Sequence, residues 1–258
     1  MGDYTVVRAA VGTRALRVLA AGLAVAAVPI FLITTNIWLV INAPVLYSYG
    51  FDRYNIVEWT GIERDELLSA GRQVRDYFKN DEGLLDVRVF VQGVPSSIYN
   101  EREILHMRDV KSLVKAVYSA QQITGIYLVL FAAVGLAIFR RPFLAPLVRL
   151  LRFGGMATLA LVLLVGFGSL LGFDRLFHTF HLISFSNDLW QLDPRTDMLI
   201  RMFPQGFFFD ATIAIAVLTL VESAILVFAP AEWRRWRLRR GHEVASRATA
   251  TPAPEAGG

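Results

Sequence analysis

Cysteine is absent from the 258 residues. That removes a thiol nucleophile, a thiolate metal site and any disulfide framework. It also means that this chain cannot itself carry a cysteine-linked lipid. Other signatures are missing as well. There is no Gly-x-Ser-x-Gly elbow, no Gly-rich phosphate loop ending in Lys and Ser or Thr, and no His-Glu-x-x-His pair, which argues against a serine-hydrolase elbow, a nucleotide-driven reaction and the usual zinc-protease arrangement. Long stretches also lack charge, although the chain carries a formal +4. The basic residues sit beside apolar runs, so they read as membrane-flanking charge rather than as a nucleic-acid surface.

What is present is hydrophobic: 55% of the residues are apolar and the mean hydropathy is +0.46. Four runs are long enough to cross a hydrocarbon layer of roughly 30 Å, which takes about 20 helical residues. They cover residues 19–43, 120–139, 153–173 and 208–229. The first contains Pro29 and Asn36, where a kink is expected; it is too long for a signal-peptide core and reads as a span. Arginines cluster in the tail 1–18 (Arg8, Arg14, Arg17), the loop 140–152 (Arg140, Arg141, Arg149, Arg152) and the tail 230–258 (Arg234, Arg235, Arg237, Arg239, Arg240). With four spans these fall on one side, and the positive-inside rule makes that side cytoplasmic. Segments 44–119 and 174–207 then face outward. The end of the chain, from Ser246, is low in complexity and reads as disordered.

Segment 44–119 is too long for a simple connector. Thr60 with Glu63 suggests a capping box, and Leu67, Val74 and Phe78 recur at helical spacing. Leu85, Val87, Val89 and Val91 alternate with Asp86, Arg88, Phe90 and Gln92, as in a strand that Gly93 and Pro95 should end. Asn100 with Glu103 is a second cap pair, opening a helix that runs on into the second span. The expected fold is an α-helical membrane protein: a four-transmembrane-helix bundle with a small α+β extracytoplasmic cap.

Candidate chemistry centres on histidine. His242 lies in the basic tail and reads as a surface residue, but His106, His178 and His181 all fall in outward-facing segments near membrane boundaries. Asp109 is one turn from His106, close enough to accept a hydrogen bond from one ring nitrogen and leave the other free. His178 and His181 are one turn apart, with Asp174 a turn earlier. Each ring could equally be an interfacial residue with a wet polar tip. A zinc site is a weaker alternative, because the spacing fits no metalloprotease pattern. Glu222, inside the fourth span, either lines a substrate groove with Asn36 and Arg102 or bonds to Asn36 or to a hydroxyl on a neighbouring helix. Trp59 and Trp190 suit the interfacial aromatic belt.

The blocks EREILHMRDVK (101–111), FHLISFSNDLWQLDPRTDMLIRMFP (180–204) and FFFDA (207–211) resemble the bacterial lipoprotein intramolecular transacylase family. The resemblance runs from the first span to the last and is weakest over residues 50–95 and in the C-terminal tail. It implies an O-to-N acyl transfer on a diacylglyceryl lipoprotein whose signal peptide has been removed. The sn-2 acyl chain moves to the α-amine of the lipidated Cys, giving a lyso form. The resemblance implies no external acyl donor, no cofactor and no metal. It assigns His106 and His181 as the catalytic pair, with Asp109, His178, Asn187, Asp188, Trp190, Asp193 and Asp197 as orienting residues, and His178 as the rival of His181. It also implies a bacterial plasma-membrane protein whose partners are lipoproteins and membrane lipid. A lipid or lipoprotein ester hydrolase would suit the same histidines. A non-enzymatic assembly, sensor or scaffold protein with a ligand-binding cap is the other alternative.

Overall fold

The computed structural model describes the backbone of residues 3–249 and the side chains of residues 14–230. Four of its helices are long and apolar enough to cross a membrane: α1 (Asp3–Asn42), α5 (Glu101–Phe139), α6 (Leu144–Ser184) and α8 (Gln205–Thr249). All four extend beyond the apolar runs. Helix α5 begins well before its uncharged stretch, α6 continues past its own after a break at Gly172, and α8 carries on through the arginines at 234–240. Helix α8 includes residues 246–249 of the segment read as disordered. Residues 250–258 and the side chain of His242 lie outside the described residues.

Helix α1 is the centre of the bundle. It packs against α5, α6 and α8, and α6 packs against α8, whereas α5 and α6 touch little. Small residues permit the close approaches. A Cβ on Gly125 would come within 2.8 Å of Phe31, and one on Gly154 within 2.5 Å of Val28. Gly155 lets α6 sit against Val227 and Leu226 of α8. Packing, not hydrophobicity, must hold helices together in lipid. Hydrogen bonds add to it. Tyr127 donates to the Ala20 carbonyl at 2.7 Å and Asn42 donates to Tyr118 at 2.9 Å, both joining α1 to α5. Asn36 donates to Thr219 at 3.0 Å and to Glu222 at 2.7 Å, joining α1 to α8. Asn36 and Glu222 thus pair across a helix interface, and Arg102 lies apart from them at the start of α5.

The cap fills the gap between α1 and α5. Helices α2 (Pro44–Arg53), α3 (Ile56–Thr60) and α4 (Arg64–Tyr77) precede an antiparallel hairpin of β1 (Arg88–Val91) and β2 (Val94–Ser97); a short α7 (Met198–Met202) joins from the later segment. Their apolar faces share one core that includes Phe51, Ile56, Leu67, Val87, Met107 and Met202. Two details differ from the sequence-based expectation. Thr60 closes α3 and donates to the Ile56 carbonyl, while Glu63 itself stands at the cap position of α4, so the two form no capping box. Pro95 does not end the strand but lies within β2, opposite Phe90. Residues 92 and 93, both with positive φ, make the tight turn instead, the two-residue hairpin geometry. At Pro95 the missing N–H faces the free edge of the sheet, where no ladder bond is lost. The other edge is closed by α4: Gln73 brackets the backbone N–H and C=O of Arg88, and Glu66 accepts from the N–H of Phe90.

The contact at Gly154 leads to a first prediction. Gly154→Val should force α1 and α6 apart and lower the unfolding midpoint of the detergent-solubilised protein, at a cost of about 1–3 kcal/mol. Gly166→Ala, where the added Cβ meets nothing within 4 Å, should leave the midpoint in place.

Candidate active site

Asn100 opens α5 with a full capping box. Its side chain accepts from the Glu103 N–H, and the Glu103 carboxylate accepts from the Asn100 N–H at 2.7 Å. The same two side chains reach across to the segment after α6. Glu103 also accepts from the N–H of Leu199 in the first turn of α7, and Asn100 donates to Asp197 at 2.9 Å. Asp197 in turn accepts from the N–H of Asp193 at 2.7 Å. Further along α5, Arg102 donates to the backbone carbonyl of Asp188 at 2.6 Å, and Asp109 accepts from Asn187 at 2.8 Å. The segment 187–199 is therefore strapped onto the first turns of α5. Burial raises the pKa of Glu103, and the backbone N–H groups it accepts from oppose that shift.

His106 lies on α5 between these attachment points, and His181 lies near the end of α6, past the break at Gly172. Both are outside the apolar runs. Their ring centroids are 6.3 Å apart, and both residues are buried. Aromatic rings enclose them. Phe177, Trp190, Phe180 and Phe185 stand 4.4, 5.0, 5.3 and 5.7 Å from the His181 ring, and Phe185 is also 5.1 Å from His106. His178 is exposed; it also packs on Trp190, at 5.3 Å. Of the two candidates, His181 is the one beside His106.

The surroundings fix the protonation of both rings. Nδ1 of His181 is 2.7 Å from the carbonyl of Phe177. A carbonyl can only accept, so Nδ1 carries the proton of the neutral ring and Nε2 keeps its lone pair. Burial lowers the His181 pKa, although the Phe177 carbonyl acts against this. Burial, followed by the nearby His181, pushes His106 down to about 4. His106 makes no hydrogen bond with Asp109, contrary to the sequence-based expectation. Its buried Nδ1 has no partner among the described residues, and Asp109 accepts from Asn187 instead.

The other expected residues divide. Asn187, Asp188 and Asp197 hold the strap, the second through its backbone. Trp190 packs on both His181 and His178, which is more than an interfacial role. Asp193 lies in an exposed turn, where Arg195 holds its carboxyl down to about 2. Asp174 accepts from Gln205 at the head of α8, at 2.6 Å. Among the described residues no three His, Asp or Glu side chains are grouped to hold a metal ion.

Comparison with known proteins places this arrangement. The family described as lipoprotein intramolecular transacylase Lit matches residues 23–208. The chain belongs to that family. The structure of the membrane-integral Lit from Bacillus cereus superimposes with a TM-score of 0.72, at 21% identity, covering 86% of this chain and 97% of that one. A variant of the same protein with one histidine replaced by arginine gives 0.70 at 20% identity, covering 91% and 98%. An uncharacterized protein of Aquifex aeolicus is 24% identical over 183 residues, 70% of this chain and 79% of its own length. The Lit fold, a four-span bundle with a small α+β cap, is thus shared, and the protein is a multi-pass bacterial membrane protein.

Sequence reading of this Lit family member missed two features. Glu103 registered only as a cap partner. Asn100, Glu103, His106 and Asp109 follow one another at three-residue intervals, so each neighbours the next along the start of α5, and that was the available signal. The phenylalanines around His181 were indistinguishable from membrane-facing residues.

The depressed pKa of His106 has a measurable consequence. Between about 4 and the free value near 6.5, the unfolded chain binds a proton that the folded chain does not. Stability is therefore complete above that window and falls as pH drops through it. His106→Gln, which cannot take up this proton, should lose less thermal stability than wild type between about pH 7 and about pH 5. Equal losses in the two proteins would contradict the assignment.

Proposed function

We propose that this chain carries out the family reaction, moving the sn-2 acyl chain of a diacylglyceryl-Cys lipoprotein to its α-amino group, with His106 and His181 as the catalytic pair and His181 as the acid–base group. The observation that carries this reading is the pair of neutral, buried imidazoles 6.3 Å apart within an aromatic enclosure. Nε2 of His181 has a lone pair available to take a proton from the amine as it attacks the ester carbonyl. The new N–C bond forms, the C–O bond to glycerol breaks, and the imidazolium returns the proton to the departing oxygen. His106, also neutral, has an N–H to donate on one ring nitrogen and a lone pair on the other. Donation to the developing oxyanion is its natural role, and the apolar walls strengthen it. The amine and ester belong to one molecule, so much of the acceleration comes from folding the headgroup into a reactive conformer. Conversion of an ester to an amide is downhill, and no nucleotide is needed.

The arrangement of helices supports a lipid-borne substrate. The two histidine-bearing helices flank α1 and touch each other little, so acyl chains are expected to lie in the lipid-facing space between them. Arg17 lies over the ring of Phe139, at the end of α5 opposite His106, and the arginines of the α5–α6 turn share that end. With this basic end inside, both termini are cytoplasmic and the histidines face outward.

Expression in a host lacking lipoprotein N-acylation tests the reaction. Terminal lipopeptides should keep their mass and gain an N-acyl group, whereas hydrolysis would remove one acyl chain. His106→Ala and His181→Ala should each lower transfer by at least ~10²-fold; retained transfer in both would refute the pair. Accessibility labelling of single cysteines, which this cysteine-free chain accepts without background, tests the orientation. A cysteine at Gln92 should react from outside the cell, and one at Arg141 should not.

A further inference from the structure

The acid–base chemistry leaves a shallow, widely open hollow unused. A cleft of about 510 Å³ lies beside the histidines, lined by Glu101, Arg102 and Leu105 of α5 and by Asn187, Asp188 and Leu189 of the strap. It is open to solvent on the cap. Arg102 stands one helical turn before His106, and Asn187 follows two residues after Phe185, which packs on that ring. The cleft thus shares α5 with His106, and its other wall is the strap whose Trp190 packs on His181. Its walls are fixed: the Arg102 guanidinium holds the carbonyls of Asp188 and Leu189, and Asn187 is bonded to Asp109.

The charges in the cleft favour one kind of occupant. Two carboxylates, Glu101 and Asp188, accompany a single guanidinium, which disfavours a phosphate or an anionic headgroup. Acceptors, a donor and two leucines side by side instead suit a peptide, whose backbone presents N–H and C=O groups alternately. The geometry of the substrate agrees. The acyl chains must stay in hydrocarbon and the α-amine must meet the histidines, so the polypeptide has to leave from the carbonyl side of the lipidated residue, away from the bilayer.

We infer that this cleft receives the first residues of the mature lipoprotein as an extended chain, and that it reads backbone rather than side-chain identity. The inference rests on the transacylase reading. Contacts to backbone and to non-specific apolar walls would let one enzyme accept many lipoproteins.

The test uses the full-length protein in detergent–lipid micelles with synthetic diacylglyceryl-cysteine substrates. One is a simple amide, and the others carry one, two, three or five further residues. For the wild type, kcat/KM should rise over the first added residues, by at least ~10-fold in total, and then level off. Leu105→Trp, which fills the cleft, should bring the ratio of peptide to amide substrate back toward one. A flat wild-type series, or a variant with the wild-type ratio, would overturn the cleft assignment. The wild-type series decides alone if the variant does not fold. Absence of transfer on every substrate would instead overturn the transacylase reading, and this inference with it.

Discussion

Glu103 and Asn100, side chains of the first turn of α5, accept from or donate to the segment that carries Asp197 and Leu199. A buried carboxylate is costly unless its lone pairs are used. Glu103 uses them on backbone N–H groups at the start of two helices, where the donors would otherwise be unsatisfied. The same bonds that make the carboxylate tolerable also set α7 and the 187–199 strap against α5. The later segment takes its place at that junction: Trp190 packs on His181, Asn187 bonds to Asp109, and Leu199 and Met202 join the apolar core of the cap.

The chemistry follows from what this junction excludes. Phenylalanine and tryptophan rings around the histidines leave little for a charged imidazole to interact with, so both stay neutral at ordinary pH. One is given a fixed tautomer by a backbone carbonyl, and the other keeps a buried nitrogen without a partner. A site of this kind is poorly solvated before it meets its substrate, and it fits a reaction between two groups of one lipid-anchored molecule. The bundle below contributes less by chemistry than by shape, with α1 as the shared partner and the helices bearing the histidines on either side of it.

Much of this was legible in the residues. Uncharged runs of sufficient length can only be buried or in lipid, so four spans could be read directly, and Asn100 with Glu103 has a spacing with one common meaning. Two other local readings failed for physical reasons. Thr60 has a closer carbonyl to bond to inside its own short helix, and Pro95 occupies the edge position where a missing N–H costs nothing. The meeting of His106 with His181, and the choice of His181 over His178, depend on how two distant helices pack. The strap depends largely on side chains bonding to backbone groups, which every residue possesses and which therefore leave no signature in a sequence.

The break in α6 at Gly172 separates the span from the piece that carries His181. Bilayers differ in thickness, and a span accommodates a mismatch by tilting. A rigid rod would transmit that tilt to its far end. Here the distal piece is held by rings and by the strap, so the span can lean about Gly172 while His181 keeps its place. The spacing of the two histidines then rests on the rings and the strap rather than on the angle at which the span meets the bilayer.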